Sequence, residues 1–263
     1  MADKTVPTPA PAAKPTFIRP VAMNTVTVSD AMREWFSTGI AWFDKALGGK
    51  GIKRRQVIYI WGGPGAGKST LAQMLSESLS VQGIQTLYNV NEEYIEQVKI
   101  RCDELGIAGS FMAHAETDPQ KLTELCDVLM SEVPDKHFTL VVDSLQTLND
   151  GKWGDLVNSK TPERCLSHLF EWAKESGATV VVIGHGTKGG VHAGSQKLMH
   201  CVDSFAGIMV DRKPKSETFG FRLLQFVKNR MGGVCDPIIL DMDKNRGGLL
   251  VENGTAFDRE LED

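Results

Sequence analysis

The sequence lacks a cysteine framework, a long apolar run and an excess of positive charge, and each lack removes a class of protein. Its five cysteines (Cys102, Cys126, Cys165, Cys201 and Cys235) are odd in number, scattered and never spaced CxxC. That argues against a zinc ribbon or a disulfide scaffold and predicts reduced, buried thiols in a cytoplasmic protein. No apolar run reaches the roughly 18 residues that a membrane span needs, and the N-terminus has no signal-peptide core. The formal net charge is −4. With no global basic excess, any nucleic-acid site has to be a local basic strip. No repeat of solenoid type is visible.

What is present is an ordinary globular composition, 41% apolar and 24% charged over 263 residues, enough for one large α/β domain. Residues 1–28 open on MADKTVPTPAPAAKPT, rich in Pro and Ala without periodicity, and read as a disordered tail. Residues 29–255 read as one domain and 256–263 as an acidic tail. Short apolar runs alternate with amphipathic stretches. QVIYIW (56–61), QTLYNV (85–90), FMAHA (111–115), HFTLVVD (137–143) and ATVVVIG (178–184) read as strands. Helices are expected over 68–82, 92–105, from Pro119 to Glu132, and over 162–176 with Thr161 as the cap. Continuous apolar strands separated by helices imply a mostly parallel sheet covered on both faces. After residue 203, short runs between charged or Gly-containing turns suggest antiparallel strands extending one edge.

GGPGAGKS (62–69) fits GxxxxGK[ST]. A strand precedes it and a helix follows it, as a phosphate-binding loop requires. Gly62, Gly63, Pro64, Gly65, Ala66 and Gly67 let the backbone wrap around phosphate and present amide N–H groups to its oxygens. The helix that starts here adds the positive end of its dipole. Lys68 reaches the β- and γ-phosphates of ATP, Ser69 can ligate Mg²⁺, and Thr70 continues the first turn. Asp143, at the carboxyl end of a neighbouring apolar strand, is the candidate second Mg²⁺ contact. Hydrolysis needs a group that orients or deprotonates water. Glu92 and Glu93 follow the strand QTLYNV at the same edge, and Glu92 is preferred as the base. His185 and Lys188, in GHGTKGG (184–190), are expected at the γ-phosphate edge.

Together these segments resemble the RadA (Sms) branch of the RecA-like ATPases. STGIAWFDKALGGKGI (37–52) resembles that family's entry to the core, and NEEYIEQVKIRCDELGI (91–107) its GEES-containing segment and following helix. LVVDSLQTL (140–148) resembles its DSIQT strand, GHGTKGGVHAG (184–194) its GHVTKEG-type loop, MHCVDS (199–204) its EHxVD segment, and KNRMGG (228–233) its KNRFG motif. The likeness covers about residues 37–255. Met231 stands where the motif has Phe and Asn91 where it has Gly. The family's four-cysteine zinc finger and Lon-protease-like domain have no counterpart in the sequence. The resemblance therefore implies a RecA-like core alone, of the kind a phage or other mobile element carries.

That resemblance implies ATP at the subunit interfaces of a homo-oligomer, expected to be a hexameric ring. Lys228 and Arg230 would reach the γ-phosphate bound to the neighbouring subunit. Single-stranded DNA would meet loops 149–161 (Lys152, Trp153, Lys160) and 186–198 (Lys188, His192, Gln196, Lys197). The run Lys50, Lys53, Arg54, Arg55 is the densest basic cluster and reads first as a solvated turn before the first strand, with an interface or DNA contact as the alternative. Three functions follow: a DNA-dependent motor in recombination and repair, working beside recombinase or replication proteins; a single-strand-binding accessory ATPase; or a KaiC-like ATPase acting on protein partners.

Overall fold

The computed structural model describes residues 20–156, 158, 160–186 and 195–255, so Lys188 and His192 lie outside the described residues. The chain divides at Arg33 into two compact units. In the first, a 3-10 turn (Met23–Thr25) and the one-turn helix α1 (Asp30–Arg33) bury no residue.

The second unit opens with a two-stranded antiparallel sheet, β1 (Trp35–Phe36) against β2 (Ile52–Lys53), with α2 (Ala41–Ala46) between them. The main elements then alternate: β3 (Val57–Gly62), α3 (Lys68–Val81), β4 (Gln85–Val90), α4 (Ile95–Leu105), β5 (Met112–His114), α5 (Pro119–Glu132) and β6 (Phe138–Asp143). A short β7 (Lys152–Asp155) lies outside both sheets. Then come α6 (Thr161–Ser176), β8 (Thr179–His185), α7 (Ser195–His200), β9 (Ser204–Val210), β10 (Arg222–Asn229), β11 (Ile238–Asp243) and β12 (Leu249–Thr255).

The nine-stranded sheet has the order β12-β11-β10-β9-β3-β8-β6-β4-β5. From β9 to β5 every pairing is parallel. From β9 to β12 every pairing is antiparallel. The mostly parallel sheet with an antiparallel C-terminal edge is thus the expected architecture. One detail differs: β9 joins β3 in parallel, with Ser204 beside Ile58 at the amino end of the sheet. The hairpins start only with β10.

The alternation along each central strand explains two cores. In β3, Ile58 and Ile60 face the core built with α2, α3 and α4, while Val57 and Tyr59 face the core built with α5 and α6. A strand covered on both faces needs apolar residues at every position, which is why β6 and β8 read as unbroken apolar runs. Gly184 interrupts β8 for a steric reason: a Cβ there would fall 1.8 Å from the Tyr59 hydroxyl oxygen.

Three expected boundaries move. The helix after β4 begins at Ile95, not residue 92, because the Gln97 side chain accepts the Tyr94 N–H at 2.9 Å and fixes the start there. Thr161 is the first residue of α6 and not its cap; its hydroxyl oxygen accepts from the Asn158 N–H instead. The third strand is limited to Met112–His114, the stretch that finds partners on β4.

A candidate nucleotide site

β3 delivers the chain to the phosphate loop and α3 takes it away. The turn between them is built for close approach. A Cβ on Gly62 would lie 2.4 Å from the Ile208 carbonyl oxygen of the adjacent strand. Gly67 has φ 93°, a left-handed conformation that costs other residues energy, and it aims the first N–H groups of α3 back toward the loop. The Lys68 ammonium folds over the loop and donates to the Gly63 carbonyl at 3.1 Å. Burial pulls its pKa down, and the nearby charges of Asp143 and Glu92 oppose that shift.

Asp143 stands at the end of β6, only 4% exposed. The Ser69 hydroxyl donates to its carboxylate, and so does the Tyr88 hydroxyl, at 2.8 Å. Burial still holds its pKa above the usual carboxylate range. A buried carboxylate touching a hydroxyl is a pair of hard oxygen donors. Among the described residues no group of three His, Cys, Asp or Glu gathers as a metal cage. That pair fits Mg²⁺, which takes one or two protein oxygens and completes its shell with substrate phosphates and water.

The two glutamates after β4 part company. Glu92 turns into the site: its Oε1 accepts from the Ser144 hydroxyl and lies 3.0 Å from His185 Nε2. Glu93 instead lies 3.6 Å from the Arg101 guanidinium of α4, and its charge also acts on Tyr88. The backbone N–H of His185 donates to Gln146 Oε1 at 3.2 Å, so the segment after β6 positions the end of β8. Gly62 to Thr70, Asp143, Glu92 and His185 therefore converge at one carboxyl edge of the sheet.

Lys228 and Arg230 do not converge with them. Asn229 pairs with Ser204, and Ser204 with Ile58, whereas Gly62 at the loop pairs with Ile208. The two cations thus sit at the amino end of β3, about 13 Å along the sheet from the loop at strand rise. The Lys228 ammonium donates to the carbonyls of Met199 and Val202, the latter at 2.7 Å. Burial and the charge of Arg230 lower its pKa. Arg230 is more open, with Asp203 3.8 Å away.

Of the two loops expected to meet DNA, the first is largely described. Lys152, Trp153, Lys160, Arg164, His168 and Lys197 line a cleft of about 550 Å³. Trp153 is 58% exposed, and Lys197 pairs with Glu163 at 3.7 Å. Most of the second loop lies outside the described residues, and so does the Gln196 side chain.

Sequence reasoning missed Tyr88, Ser144 and Gln146. Ser144 and Gln146 follow Asp143 directly, so their place in the DSLQT segment was a usable signal. Tyr88 had a weaker one: a tyrosine in a buried strand needs a partner for its hydroxyl.

Three kinds of similarity connect the chain to known proteins. Residues 36–112 match the family model described as the KaiC ATPase. The DNA repair protein RadA of Brucella abortus is 33% identical over 241 residues, which is 88% of this chain and 48% of that protein. The DNA repair protein RadA of Escherichia coli is 35% identical over 224 residues, 84% of this chain and 46% of that protein. The chain thus spans about half the length of these relatives. Among solved structures, a KaiC-like protein from Pyrococcus horikoshii matches with a TM-score of 0.67 at 16% identity, covering 83% of this chain and 98% of that one. A DnaB-like replicative helicase matches with a TM-score of 0.71 at 15% identity, covering 81% and 61%. At those identities the two structures speak to the fold alone.

Proposed function

The chain carries a RecA-like ATPase core of RadA type, and on that premise we propose that it hydrolyses ATP at the interfaces of a homo-oligomeric ring and couples this to single-stranded DNA in recombination and repair. One observation carries the proposal: Lys68, Ser69, Asp143 and Glu92 meet around one glycine loop while Lys228 and Arg230 stand toward the opposite edge of the same sheet.

The roles follow from what each side chain can do. The loop amides and Lys68 hold the β- and γ-phosphates. Ser69 and Asp143 would hold Mg²⁺, which supplies charge neutralisation at the phosphates when bound. Glu92 orients the attacking water and accepts its proton, and the Ser144 hydroxyl and His185 ring fix its rotamer. In phosphoryl transfer most of the catalysis is positioning and electrostatic stabilisation, so a cation from outside the subunit matters. Arg230 supplies it to the neighbouring site, and Lys228 anchors the turn that carries it and adds positive potential. Trp153, Lys152 and Lys160 meet DNA. Recombinase or replication proteins are the natural partners of such a motor, and the cytoplasm its compartment.

Mixing variants tests the shared site. Arg230→Ala and Glu92→Gln proteins, each nearly inactive alone, are expected to regain partial ATPase activity together, because mixed assemblies rebuild some intact interfaces. Mixed assemblies that form but show no recovery at any ratio would refute catalysis in trans.

The match of residues 36–112 to the KaiC ATPase family model favours a second reading, an ATPase that acts on protein partners. Indifference of turnover to DNA would select it. Binding and annealing of single strands without directional movement is a third outcome, separated from the first by a strand-displacement assay.

A further inference from the structure

The segment that runs through β2 into the turn before β3 concentrates positive charge that neither the nucleotide site nor the loops following β6 and β8 use. Lys50, Lys53, Arg54 and Arg55 lie within six residues. The ammonium groups of Lys50 and Lys53 stand 5.6 and 4.9 Å from the centre of the Trp35 ring. The Arg54 guanidinium stands 5.4 Å from the Phe36 ring. The small β1–β2 sheet therefore works as an aromatic base that holds a row of cations in place.

Nearby acids are already engaged. Glu34 lies 3.7 Å from Arg54. Asp203 takes Lys174 and the Val57 N–H and has Arg230 beside it. Among the described residues, Lys50, Lys53 and Arg55 form no ion pair, in a chain whose net charge is −4.

The backbone at Arg55 adds an independent observation. Its φ is 63°, in the left-handed region where a side chain costs roughly 1–2 kcal/mol and glycine or asparagine is cheaper. The position is fixed from both sides: its N–H donates to the Ala178 carbonyl at 3.0 Å and its carbonyl accepts from Lys174. An arginine kept at a strained, exposed turn position points to a use for its side chain.

We propose that the turn carrying Lys50, Lys53, Arg54 and Arg55 is a second contact for a nucleic-acid phosphate backbone, at the amino edge of the sheet, opposite the loops that follow β6 and β8. The turn abuts the start of β8, whereas loop 186–198 follows its end, seven residues or about 20 Å away. A strand bound here is therefore a different segment from one held by those loops. Lysine is depleted at the cores of protein interfaces, while Lys and Arg with unneutralised charge are the usual contacts to phosphate oxygens. The inference rests on the DNA-binding reading above and adds a site to it.

The test measures binding of a labelled single-stranded oligonucleotide across a salt series to wild-type and Lys50→Glu/Arg55→Glu protein, with oligomeric state and DNA-free ATPase rate as controls. The variant is expected to bind about tenfold or more weakly at low salt. Its dependence of log affinity on log salt should flatten by about 1.4, two contacts at about 0.7 each. Basal ATPase rate and oligomeric state should not change. The neutral pair Lys50→Gln/Arg55→Gln should lose affinity in the same direction by a smaller factor, which guards against a folding defect in the reversed pair. Equal affinity and slope for wild type and variant overturn this inference alone. So does a change of oligomeric state at unchanged DNA affinity, which would assign the turn to a second copy of the chain. If wild-type protein binds no oligonucleotide at any salt, the DNA reading itself fails.

Discussion

Glu92 and Glu93 are adjacent carboxylates, and what each can reach decides its use. Glu92 meets Ser144 and His185 beside the phosphate loop, and Glu93 meets Arg101 on the first turns of α4. Replacing Glu92 with Gln should lower ATP turnover by about 10²–10⁴-fold, the usual worth of a positioned base, with nucleotide affinity retained. Glu93→Gln should leave turnover near wild type. Steady-state kinetics with a nucleotide-binding assay separates the two, and equal losses would contradict the assignment. A second residue carries a pH signature away from the site. His137 is 3% exposed, its ring stacks on Phe36 at 4.2 Å, and its Nε2 meets the Thr179 hydroxyl at 2.8 Å. Burial first, then the charge of Arg54, pushes its pKa down to about 3. The folded state thus keeps His137 neutral where the unfolded chain protonates it. It costs nothing above pH 6.5, and a penalty on the order of a few kcal/mol accumulates as pH falls from 6.5 toward 3. Urea midpoints should fall over that window. His137→Gln should flatten this component even if it lowers stability throughout; an unchanged slope would contradict the account.

At the scale of elements, the parallel core depends on close approaches that sequence patterns report only in part. β3, β6 and β8 were legible because burial on both faces demands unbroken apolar runs. The start of α4 was not, because Tyr94 and Gln97 set it through one side-chain bond that propensity does not carry. That start leaves Glu92 and Glu93 ahead of the helix; the sequence already preferred Glu92 as the base, but its contacts with Ser144 and His185 could not be read there. Lys228 gave no hint in sequence that its ammonium would be held by its own subunit's carbonyls. The parallel pairing of β9 was hidden too, since a short apolar run does not say in which direction it enters the sheet. Gly184 offers a test at this scale. An alanine there drives its Cβ into Tyr59, so Gly184→Ala should cost about 1–3 kcal/mol by overpacking. Adding Tyr59→Phe removes the nearest atom and should recover part of that loss in a double-mutant cycle. Strict additivity of the two changes in chemical denaturation would contradict the packing described.

Over the whole molecule, the polarity of the sheet organises the function. Its carboxyl edge gathers Lys68, Ser69, Asp143, Glu92 and His185, and Lys228 and Arg230 stand toward its amino edge. A head-to-tail assembly would set the phosphate-loop edge of one subunit against the Lys228–Arg230 segment of the next, which is how heterologous interfaces close into rings. Among the described residues no helix is long and apolar enough to cross a membrane. If sites are shared, specific ATPase activity should rise with protein concentration and then level off once assembly is complete, and a flat dependence in a dilute, monomeric sample would count against sharing. The coupling to DNA is the central claim, and one measurement reaches it most directly: the steady-state ATPase rate of wild-type and Lys68→Ala protein, with and without single-stranded DNA, from low to high salt. The account predicts a rate that rises with DNA, a stimulation that fades as salt rises, and no turnover from Lys68→Ala in any condition. Lys68-dependent turnover that ignores DNA at low salt would contradict it.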